Sequence, residues 1–403
     1  MNLKRNLLIG ATFFAALVML GIGQSMVSKA AAQAKGNMVQ VPRFEVDPAF
    51  PKPLPNHWYQ GQTIGVDVDA QDHIWIIHRQ DSLSNGEQAL DEKTGACCAK
   101  APPVLEFDQQ GNLLRHWGGQ DGPGDTSAPT SYKWPSSNHG ITIDHKGNVW
   151  IGGNGGDDGM VLKFTMDGKF LMRVGANYPA ADSNAQDRFW KVAKLNEDAK
   201  AGEMYIADGY GNKRVAVIDE ETGKMKRYWG AYGHKPDDAN TGRYNPDEPL
   251  IQQFRNPVHC AVPSADGTVY VCDRVNDRIQ AFKTDGTFIK EVRISPRTLG
   301  DGAVWDIAFS KDPQQKYLYL VDGHDEKIWI LDRASLEVLT SFGDGGKQPG
   351  QFYAVHSLAV DSKGNIYTTE TYDGRRVQRF MLKGMQSVEK GKDQGTVWPK
   401  SSN

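Results

Sequence analysis

The sequence predicts an all-β protein, and within that class a six-bladed β-propeller. Short apolar runs separated by Gly, Asp and Asn turns dominate the chain after residue 60, and no long amphipathic helix interrupts them. These runs fall into six units of about 40–60 residues, each with strand-like segments arranged as in a propeller blade. Three of the six units also share one motif in fixed register, which implies a repeated piece of structure.

The six units can be placed along the chain from their turns. The first comprises residues 65–69, 74–79, 104–107 and 113–117, and the others span 139–175, 190–230, 258–292, 304–343 and 355–380. The sixth unit lacks a fourth strand, and residues 41–46 (VPRFEV) are predicted to supply it, because closing the ring removes an exposed sheet edge. We therefore expect an N-terminal segment at 35–60, the propeller at 61–383 and a flexible polar tail at 384–403.

Residues 1–34 are predicted to be a signal peptide. Lys4 and Arg5 precede an apolar run at 7–22, and the sequence AQA at 32–34 fits a cleavage site. An uncleaved membrane anchor is the alternative, but the run is short for a membrane span. We expect a secreted or periplasmic monomer without stable membrane insertion after cleavage. The formal net charge of −3 argues against a nucleic-acid partner, which normally requires a basic stripe.

The four cysteines are consistent with an exported protein, in which disulfides persist. Cys260 and Cys272 flank a predicted hairpin turn, so they could face each other across two strands. Cys97 and Cys98 are adjacent in a loop, and we assign them no role.

Three histidines occupy the same place in the repeat. His139, His259 and His356 are each followed by seven residues and then by Gly, a small polar residue, a β-branched residue and an aromatic residue. In a propeller they would begin the channel-lining strands of units two, four and six, so their imidazoles would converge on the axis. Three His ligands with an open fourth position are typical of a catalytic zinc site. A single histidine would more often be a packed strand residue, but matched register favours a metal site.

Three further side chains are predicted at the same mouth of the channel. Arg79 and Arg274 follow the second strands of units one and four, and Tyr210 follows that of unit three. Two guanidinium groups favour an anionic substrate, most simply a carboxylate. A phenol beside a metal and a cation loses its proton more readily, so Tyr210 is a candidate general base. Each residue alone could instead be a surface ion pair or simple loop packing.

A second repeated pattern is interpreted as structural. An acid, a turn and a basic residue precede an apolar run in four units, and the acid is expected to fix the turn and pair with the base. The pairs are Asp208 with Arg214, Asp273 with Arg278, Asp322 with Lys327, and Glu370 with Arg376.

Together these segments resemble the NHL-repeat six-bladed propellers and, within them, the peptidyl-α-hydroxyglycine α-amidating lyases. The resemblance runs from about residue 61 to 380, and its most specific stretches are IIHR at 76–79, HGITID at 139–144, YIADGYGNKR at 205–214, CDRVNDRIQAFKTD at 272–285 and VHSLAV at 355–360. It implies a secreted zinc-dependent lyase that cleaves the C–N bond of peptidyl-α-hydroxyglycine, or of a related small-molecule α-hydroxy acid amide, into an amide and glyoxylate.

The resemblance also assigns residues to roles. It implies zinc ligands at His139, His259 and His356, a catalytic tyrosine at Tyr210, and active-site arginines at Arg79 and Arg274. The family's structural calcium uses an acid directly after the third histidine, where this chain has Ser357, so calcium is kept only as an alternative ion.

Two other functions remain open from the sequence. One is a non-catalytic NHL propeller that binds a peptide or a cell-envelope partner at the same face. The other is a calcium-dependent lactonase-like hydrolase, which would require a cluster of acidic and amide side chains in place of three histidines.

Overall fold

The computed structural model describes residues 37–119, 132–180 and 182–399. The predicted signal peptide lies outside these residues. In chain order the strands are β1 (Met38–Asp47), β2 (Trp58–Tyr59), β3 (Gln62–Val68), β4 (Ile74–Arg79), β5 (Ala99–Lys100), β6 (Val104–Phe107), β7 (Leu113–Trp117), β8 (Asn138–Ile143), β9 (Asn148–Gly153), β10 (Gly159–Thr165), β11 (Phe170–Ala176), β12 (Val192–Asp198), β13 (Glu203–Asp208), β14 (Arg214–Asp219), β15 (Met225–Trp229), β16 (Val258–Pro263), β17 (Thr268–Asp273), β18 (Arg278–Lys283), β19 (Phe288–Arg293), β20 (Asp306–Phe309), β21 (Tyr317–Asp322), β22 (Lys327–Asp332), β23 (Glu337–Phe342), β24 (Val355–Val360), β25 (Ile366–Glu370) and β26 (Val377–Glu389).

The described helices are four short 3₁₀ segments, Gln80–Ser82, Asn85–Gln88, Ala231–Gly233 and Arg274–Asn276. In the part of the chain that the structure describes, no helix has the length and apolar character needed to cross a membrane.

Six four-stranded antiparallel sheets form the blades of a propeller, which confirms the predicted fold class. From blade one to blade six they are β3-β4-β6-β7, β8-β9-β10-β11, β12-β13-β14-β15, β16-β17-β18-β19, β20-β21-β22-β23 and β24-β25-β26-β1. The first strand of each blade contacts the first strands of the two neighbouring blades, so these six inner strands enclose the axis. We call the end of the channel where the inner strands begin the upper face, and the other end the lower face.

The N-terminal strand closes the ring, as expected. β1 pairs antiparallel with β26 from Met38 opposite Glu389 to Asp47 opposite Arg379, with one irregularity between Pro42 and Phe44. This pairing is longer than the predicted residues 41–46, and it joins the two ends of the chain within blade six.

The expectation of a flexible tail beginning at residue 384 is wrong for its first part. β26 continues to Glu389, because β1 offers it a full-length partner. Beyond it, the Gly391 amide donates to Leu339 O and the Gln394 amide to Ser341 O, both on the outer strand of blade five. Val397 O accepts from the Val46 amide at 2.8 Å, so the segment after β26 packs across blades five and six.

The core lies between neighbouring blades. One cluster joins Trp75 and Ile77 of blade one to Ile141 and Ile151 of blade two, all at most 1% exposed. Similar clusters follow at the other blade boundaries. Because burial of apolar surface holds adjacent blades together, the inner strands are fixed relative to one another. That rigidity is what a site built from several blades requires.

Two disulfides are present. Cys260 and Cys272 lie directly opposite each other on β16 and β17, as the hairpin suggested, and they are bonded. Cys97 and Cys98 are also bonded to each other.

Candidate metal centre

Three buried imidazoles meet on the propeller axis near the upper face. His139, His259 and His356 lie on β8, β16 and β24, the inner strands of blades two, four and six. One ligand atom from each lies within 4.8 Å of the other two. Their ring centroids are 5.3, 4.8 and 4.9 Å apart. The matched register in the sequence therefore corresponds to one cluster in space.

The Nδ1 atom of each histidine faces a backbone carbonyl of the next blade. The pairs are His139 with Ala193 O at 2.6 Å, His259 with Trp305 O, and His356 with Ile64 O at 2.7 Å. A carbonyl oxygen only accepts hydrogen bonds, so Nδ1 carries the proton in each ring. Each Nε2 then holds a lone pair. Backbone carbonyls commonly impose this tautomer on metal-binding histidines.

All three imidazoles are held neutral. Burial is the main cause that lowers the pKa of each one well below 6.5. Neighbouring guanidinium groups lower all three pKa values further, and a neighbouring imidazole does so for His139 and His259, since a second positive charge nearby is unfavourable. Neutral histidine is the form that binds a metal ion.

Tyr210 places its hydroxyl oxygen against this cluster. The oxygen is 3.1 Å from His139 Nε2 and 3.0 Å from His259 Nε2. Arg274 Nη1 donates to the same oxygen at 3.2 Å. Since the phenol has one hydrogen, it can satisfy only one of the two Nε2 lone pairs at a time. One Nε2 lone pair is therefore left without a proton donor, and a bound cation would satisfy it.

Arg274 is a buried guanidinium with an unused donor. Nη1 contacts Tyr210, and Nη2 lies 3.3 Å from Asp301 Oδ1. The guanidinium also stacks over the Trp305 ring, 4.4 Å from its centroid. Among the described residues, no acceptor reaches its buried Nε. A buried donor without a partner is costly, so this edge of Arg274 is suited to a ligand with a planar pair of oxygens.

Arg79 is held differently, by neutral groups. Its Nη2 donates to Asn154 Oδ1 at 2.9 Å, its Nη1 to Gln62 Oε1 at 3.2 Å, and its Nε to Asn138 O at 3.3 Å. Burial lowers the pKa of Arg79, yet guanidinium stays protonated in proteins. Asn138 directly precedes His139, so the Arg79 guanidinium also lies beside the three histidines. The predicted site residues are therefore brought together at one mouth.

Buried ion pairs fix the turns that carry these side chains. Asp208 accepts from Arg214 Nε at 2.8 Å two residues before Tyr210, and Asp273 accepts from Arg278 Nε at 2.6 Å directly before Arg274. Each aspartate also binds an asparagine side chain and a backbone amide within its own blade's loops. The structural interpretation of this repeated pattern is supported in blades three and four.

Glu370 and Arg376 form the same pair in blade six, at 2.7 Å. Blade five departs from the pattern. There Asp322 accepts from the backbone amides of His324 and Asp325, while Lys327 pairs with Asp393 of the segment after β26. The pairing predicted between Asp322 and Lys327 is wrong, because the C-terminal segment offers Lys327 another acid.

Two residues at the mouth were not found from the sequence. Asp301 contacts Arg274, and its other oxygen accepts from the Tyr372 hydroxyl at 3.2 Å. The flanking residues Gly300 and Gly302 both have positive φ, and a Cβ at Gly302 would lie 2.2 Å from Arg274 O. Glycine at 302 is therefore what lets this turn approach Arg274. Its Gly-Asp-Gly sequence is the one signal that marked the turn.

The lower half of the channel does not suit calcium. The Lys194 ammonium lies 2.5 Å from Asp306 Oδ2, and Ser357 Oγ donates to the same oxygen at 2.6 Å. Calcium binds six to eight oxygen ligands, mostly carboxylates and carbonyls. Here the Lys194 ammonium already neutralises Asp306. This pair lies beside Ser357, the position at which the resemblance implies an acidic calcium ligand. The donor set argues against the alternative calcium ion.

Comparison with known proteins finds relatives of modest identity. No protein-family model matches the chain. The peptidylglycine alpha-amidating monooxygenase of Rattus norvegicus is 26% identical over 333 residues, which cover 80% of this chain and 30% of that protein. The probable peptidyl-alpha-hydroxyglycine alpha-amidating lyase of Caenorhabditis elegans is 22% identical over 336 residues, covering 80% of this chain and 83% of that one.

A third relative, NHL repeat-containing protein 3 of Mus musculus, is 25% identical over 396 residues, covering 93% of this chain and 95% of that protein. The chain is a distant homologue of amidating enzymes and of an NHL-repeat protein. It spans about 30% of the length of the rat monooxygenase that it matches.

Proposed function

We propose that this protein is a zinc-dependent lyase that converts a peptidyl-α-hydroxyglycine, or a related α-hydroxy acid amide, into an amide and glyoxylate. The observation that carries the proposal is the contact of the Tyr210 hydroxyl with His139, His259 and Arg274 at 3.0–3.2 Å. A proton acceptor, a set of metal ligands and an anion-binding group thus meet at one point.

The three histidines fit a zinc ion. Each imidazole is neutral and has its Nδ1 hydrogen-bonded to a backbone carbonyl. Three such histidines, each with a free Nε2, are the ligands found in three-histidine zinc sites. Zn²⁺ held there would act as a Lewis acid that makes a bound hydroxyl group more acidic.

Substrate capture is assigned to the two guanidinium groups. The free Nε of Arg274 and its neighbouring Nη2, which also contacts Asp301 Oδ1 at 3.3 Å, form one edge that can bind a carboxylate in a bidentate pair. The terminal carboxylate of α-hydroxyglycine would bind there and satisfy the buried donor. Arg79, whose hydrogen bonds go to neutral acceptors, keeps its full charge at the opposite side of the site and adds to the attraction for anions.

The reaction then needs one proton acceptor and one proton donor. Tyr210, as phenolate, takes the proton of the α-hydroxyl group, and the O–H electrons form the carbonyl of glyoxylate. The C–N bond breaks, its electron pair goes to nitrogen, and a proton returns to give the amide. Tyr210 can supply that proton, which restores the phenolate. Arg274 Nη1 steadies the phenolate through the contact at 3.2 Å.

The decisive experiment is direct. Purified protein is incubated with zinc and α-hydroxyhippurate or an α-hydroxyglycine peptide, and glyoxylate is measured. We expect glyoxylate release that disappears in His259→Ala together with one equivalent of zinc. Bound zinc without activity on any such compound would favour the non-catalytic propeller that binds a peptide or cell-envelope partner.

We also propose that the chain is exported to the periplasm or the medium. The Cys260–Cys272 disulfide supports this, because disulfides persist in oxidising compartments. Mass spectrometry of the protein recovered from those fractions should give an N-terminus at residue 35. Protein that retains residues 1–34 and stays with the membrane would support the anchor alternative.

A further inference from the structure

The lower face carries a second cluster of side chains that could bind a metal ion, at the opposite end of the propeller from the three-histidine site. His145 lies in the turn after β8, Glu197 near the end of β12, and Glu220 in the turn after β14. One ligand atom from each lies within 4.8 Å of the other two. Because β8 and β12 begin at the upper face, these later residues lie at the opposite end of blades two and three.

The contacts within this cluster leave one carboxylate oxygen unused. Glu197 Oε1 is 2.5 Å from His145 Nδ1, and Glu197 Oε2 accepts from the His145 amide at 2.8 Å. Glu220 Oε1 accepts from Lys146 Nζ at 2.8 Å, and the same ammonium contacts Glu221. Glu220 is 1% exposed, and its Oε2 has no donor in the described part of the chain other than a proton shared with Glu197, whose pKa is raised to about 7 by burial and by the neighbouring Glu220 carboxylate. A buried carboxylate oxygen without a donor is unfavourable unless a cation or proton is shared with it.

A comparable cluster on blade one shows what a fully satisfied arrangement looks like. Asp69, His73 and Glu106 also lie within 4.8 Å of one another. There, however, Trp75 Nε1 donates to Asp69 at 3.0 Å and Arg115 pairs with Glu106 at 2.6 Å. Protein donors complete that cluster, so it has no need of an ion. In the cluster of His145, Glu197 and Glu220, one oxygen lacks such a donor and depends on a proton shared between the two carboxyl groups, whose place a cation can take.

We propose that His145, Glu197 and Glu220 form a second divalent-cation site, which ties blade two to blade three at the lower face. One imidazole nitrogen with two carboxylates suits Zn²⁺ or a similar first-row ion, whereas Ca²⁺ and Mg²⁺ prefer oxygen ligands alone. His145 and Glu197 line an open cavity of about 320 Å³, so an ion has access from solvent. This site is independent of the proposed lyase activity.

Lys146 is the natural competitor for the ion. Its ammonium bridges Glu220 and Glu221, and its side chain is 43% exposed. It can therefore move into solvent when a divalent cation takes its place. Removing this positive charge by Lys146→Met should tighten Zn²⁺ binding at the lower face, as measured by a lower Kd. Weaker binding in Lys146→Met would contradict the shared use of Glu220.

The test is a calorimetric titration of the metal-free full chain with Zn²⁺ alone. Wild-type protein should bind two equivalents, while His145→Ala and Glu220→Gln should each bind one. His73→Ala, the matched control in the satisfied cluster, should still bind two. If Glu220→Gln fails to fold, His145→Ala carries the test, because its side chain is 42% exposed.

His259→Ala separates this proposal from the proposed function. It should lose the upper equivalent and keep the lower one, and its thermal midpoint should still rise with Zn²⁺, because an ion that binds only the folded state stabilises it. The second site is refuted if wild-type protein binds only the equivalent that His259→Ala removes, or if His145→Ala and Glu220→Gln leave the stoichiometry unchanged. Two equivalents bound without any glyoxylate release would instead refute the lyase and keep the second site.

Discussion

Replacing Tyr210 with phenylalanine removes one oxygen from the centre of the proposed active site and keeps the ring. That oxygen lies 3.1 Å from His139 Nε2, 3.0 Å from His259 Nε2 and 3.2 Å from Arg274 Nη1. If it accepts the substrate proton, turnover in Tyr210→Phe should fall by ~10²–10⁴-fold, the usual contribution of general acid–base catalysis. At 1.36 kcal/mol per tenfold change, the barrier rises by about 3–5 kcal/mol.

The same substitution should change stability much less. The lost hydrogen bonds contribute about 0.5–1.5 kcal/mol each, and the ring keeps its edge contacts with His139 and His259. We expect the free energy of unfolding to fall by about 1–3 kcal/mol. The zinc ligands are untouched, so the zinc content should stay at the wild-type value. A loss of activity far larger than the loss of stability is the signature of a chemical role.

The assay compares glyoxylate release, zinc content and urea unfolding in the wild type, Tyr210→Phe and Tyr372→Phe. Tyr372 is the matched control, because it is a tyrosine at the same mouth whose hydroxyl bonds to Asp301 at 3.2 Å and not to the histidines. Tyr372→Phe should retain most of the turnover. Normal glyoxylate release by zinc-loaded Tyr210→Phe refutes the base assignment, and an equal loss in both variants would point to a general disturbance of the mouth.

Four further outcomes are expected. His259→Ala should lose one zinc equivalent and glyoxylate release together, because the two remaining histidines lack the third nitrogen; activity without that zinc would contradict the metal role. Arg274→Lys keeps the charge but loses Nε, so KM should rise by roughly tenfold or more with a smaller change in kcat; an unchanged KM would place the carboxylate elsewhere. Calcium added to metal-free protein should leave the thermal midpoint unchanged while Lys194 holds Asp306, whereas Lys194→Met should make the midpoint respond. Burial lowers the pKa of His78 from 6.5 to about 4, so its contribution to stability is complete above pH 6.5 and declines as pH falls toward 4, because only the unfolded chain takes up the proton. The destabilisation caused by His78→Gln, measured by urea unfolding, should therefore shrink by about 3 kcal/mol over that range, and a pH-independent difference would show that His78 titrates normally.

The sequence could predict the parts of the structure that repeat. Turn residues and alternating apolar runs mark each strand, and a fixed spacing of seven residues between His and Gly marks the inner strand of three blades. Since the repeat sets the register, the sequence alone predicts that His139, His259 and His356 lie on the axis. Arg79 and Arg274 followed from the antiparallel return of the second strand toward the same face.

Contacts between distant segments could not be predicted in the same way. The acceptors for His Nδ1 are backbone carbonyls, which carry no signal in the sequence. From the spacing of the repeat alone, Ile64, Trp190 and Trp305 are expected near this position in units one, three and five. The structure uses the carbonyls of Ile64 and Trp305, but in blade three it uses Ala193. Trp190 instead lies just before β12, and its indole Nε1 donates to Gly156 O.

The Lys194–Asp306 pair was hidden for a related reason. The two residues are 112 positions apart, and nothing in their local sequences indicates that both face the channel. Each follows the strand alternation of its own blade, so the pairing appears only once six inner strands are closed into a ring. The same closure explains the C-terminal error, because a polar segment gives no sign of the strand edge that β1 and β23 offer it.

The alternation of blades gives a physical reason why a six-fold repeat can hold a three-fold metal site. Even-numbered blades supply an imidazole, and odd-numbered blades supply the carbonyl that accepts its Nδ1 proton. If all six blades carried histidine at this position, the imidazoles would crowd the axis, and burial would disfavour every added positive charge. With three, each ring has one fixed tautomer and one lone pair for an ion. The odd-numbered blades are thus as much a part of the proposed zinc site as the blades that carry its ligands.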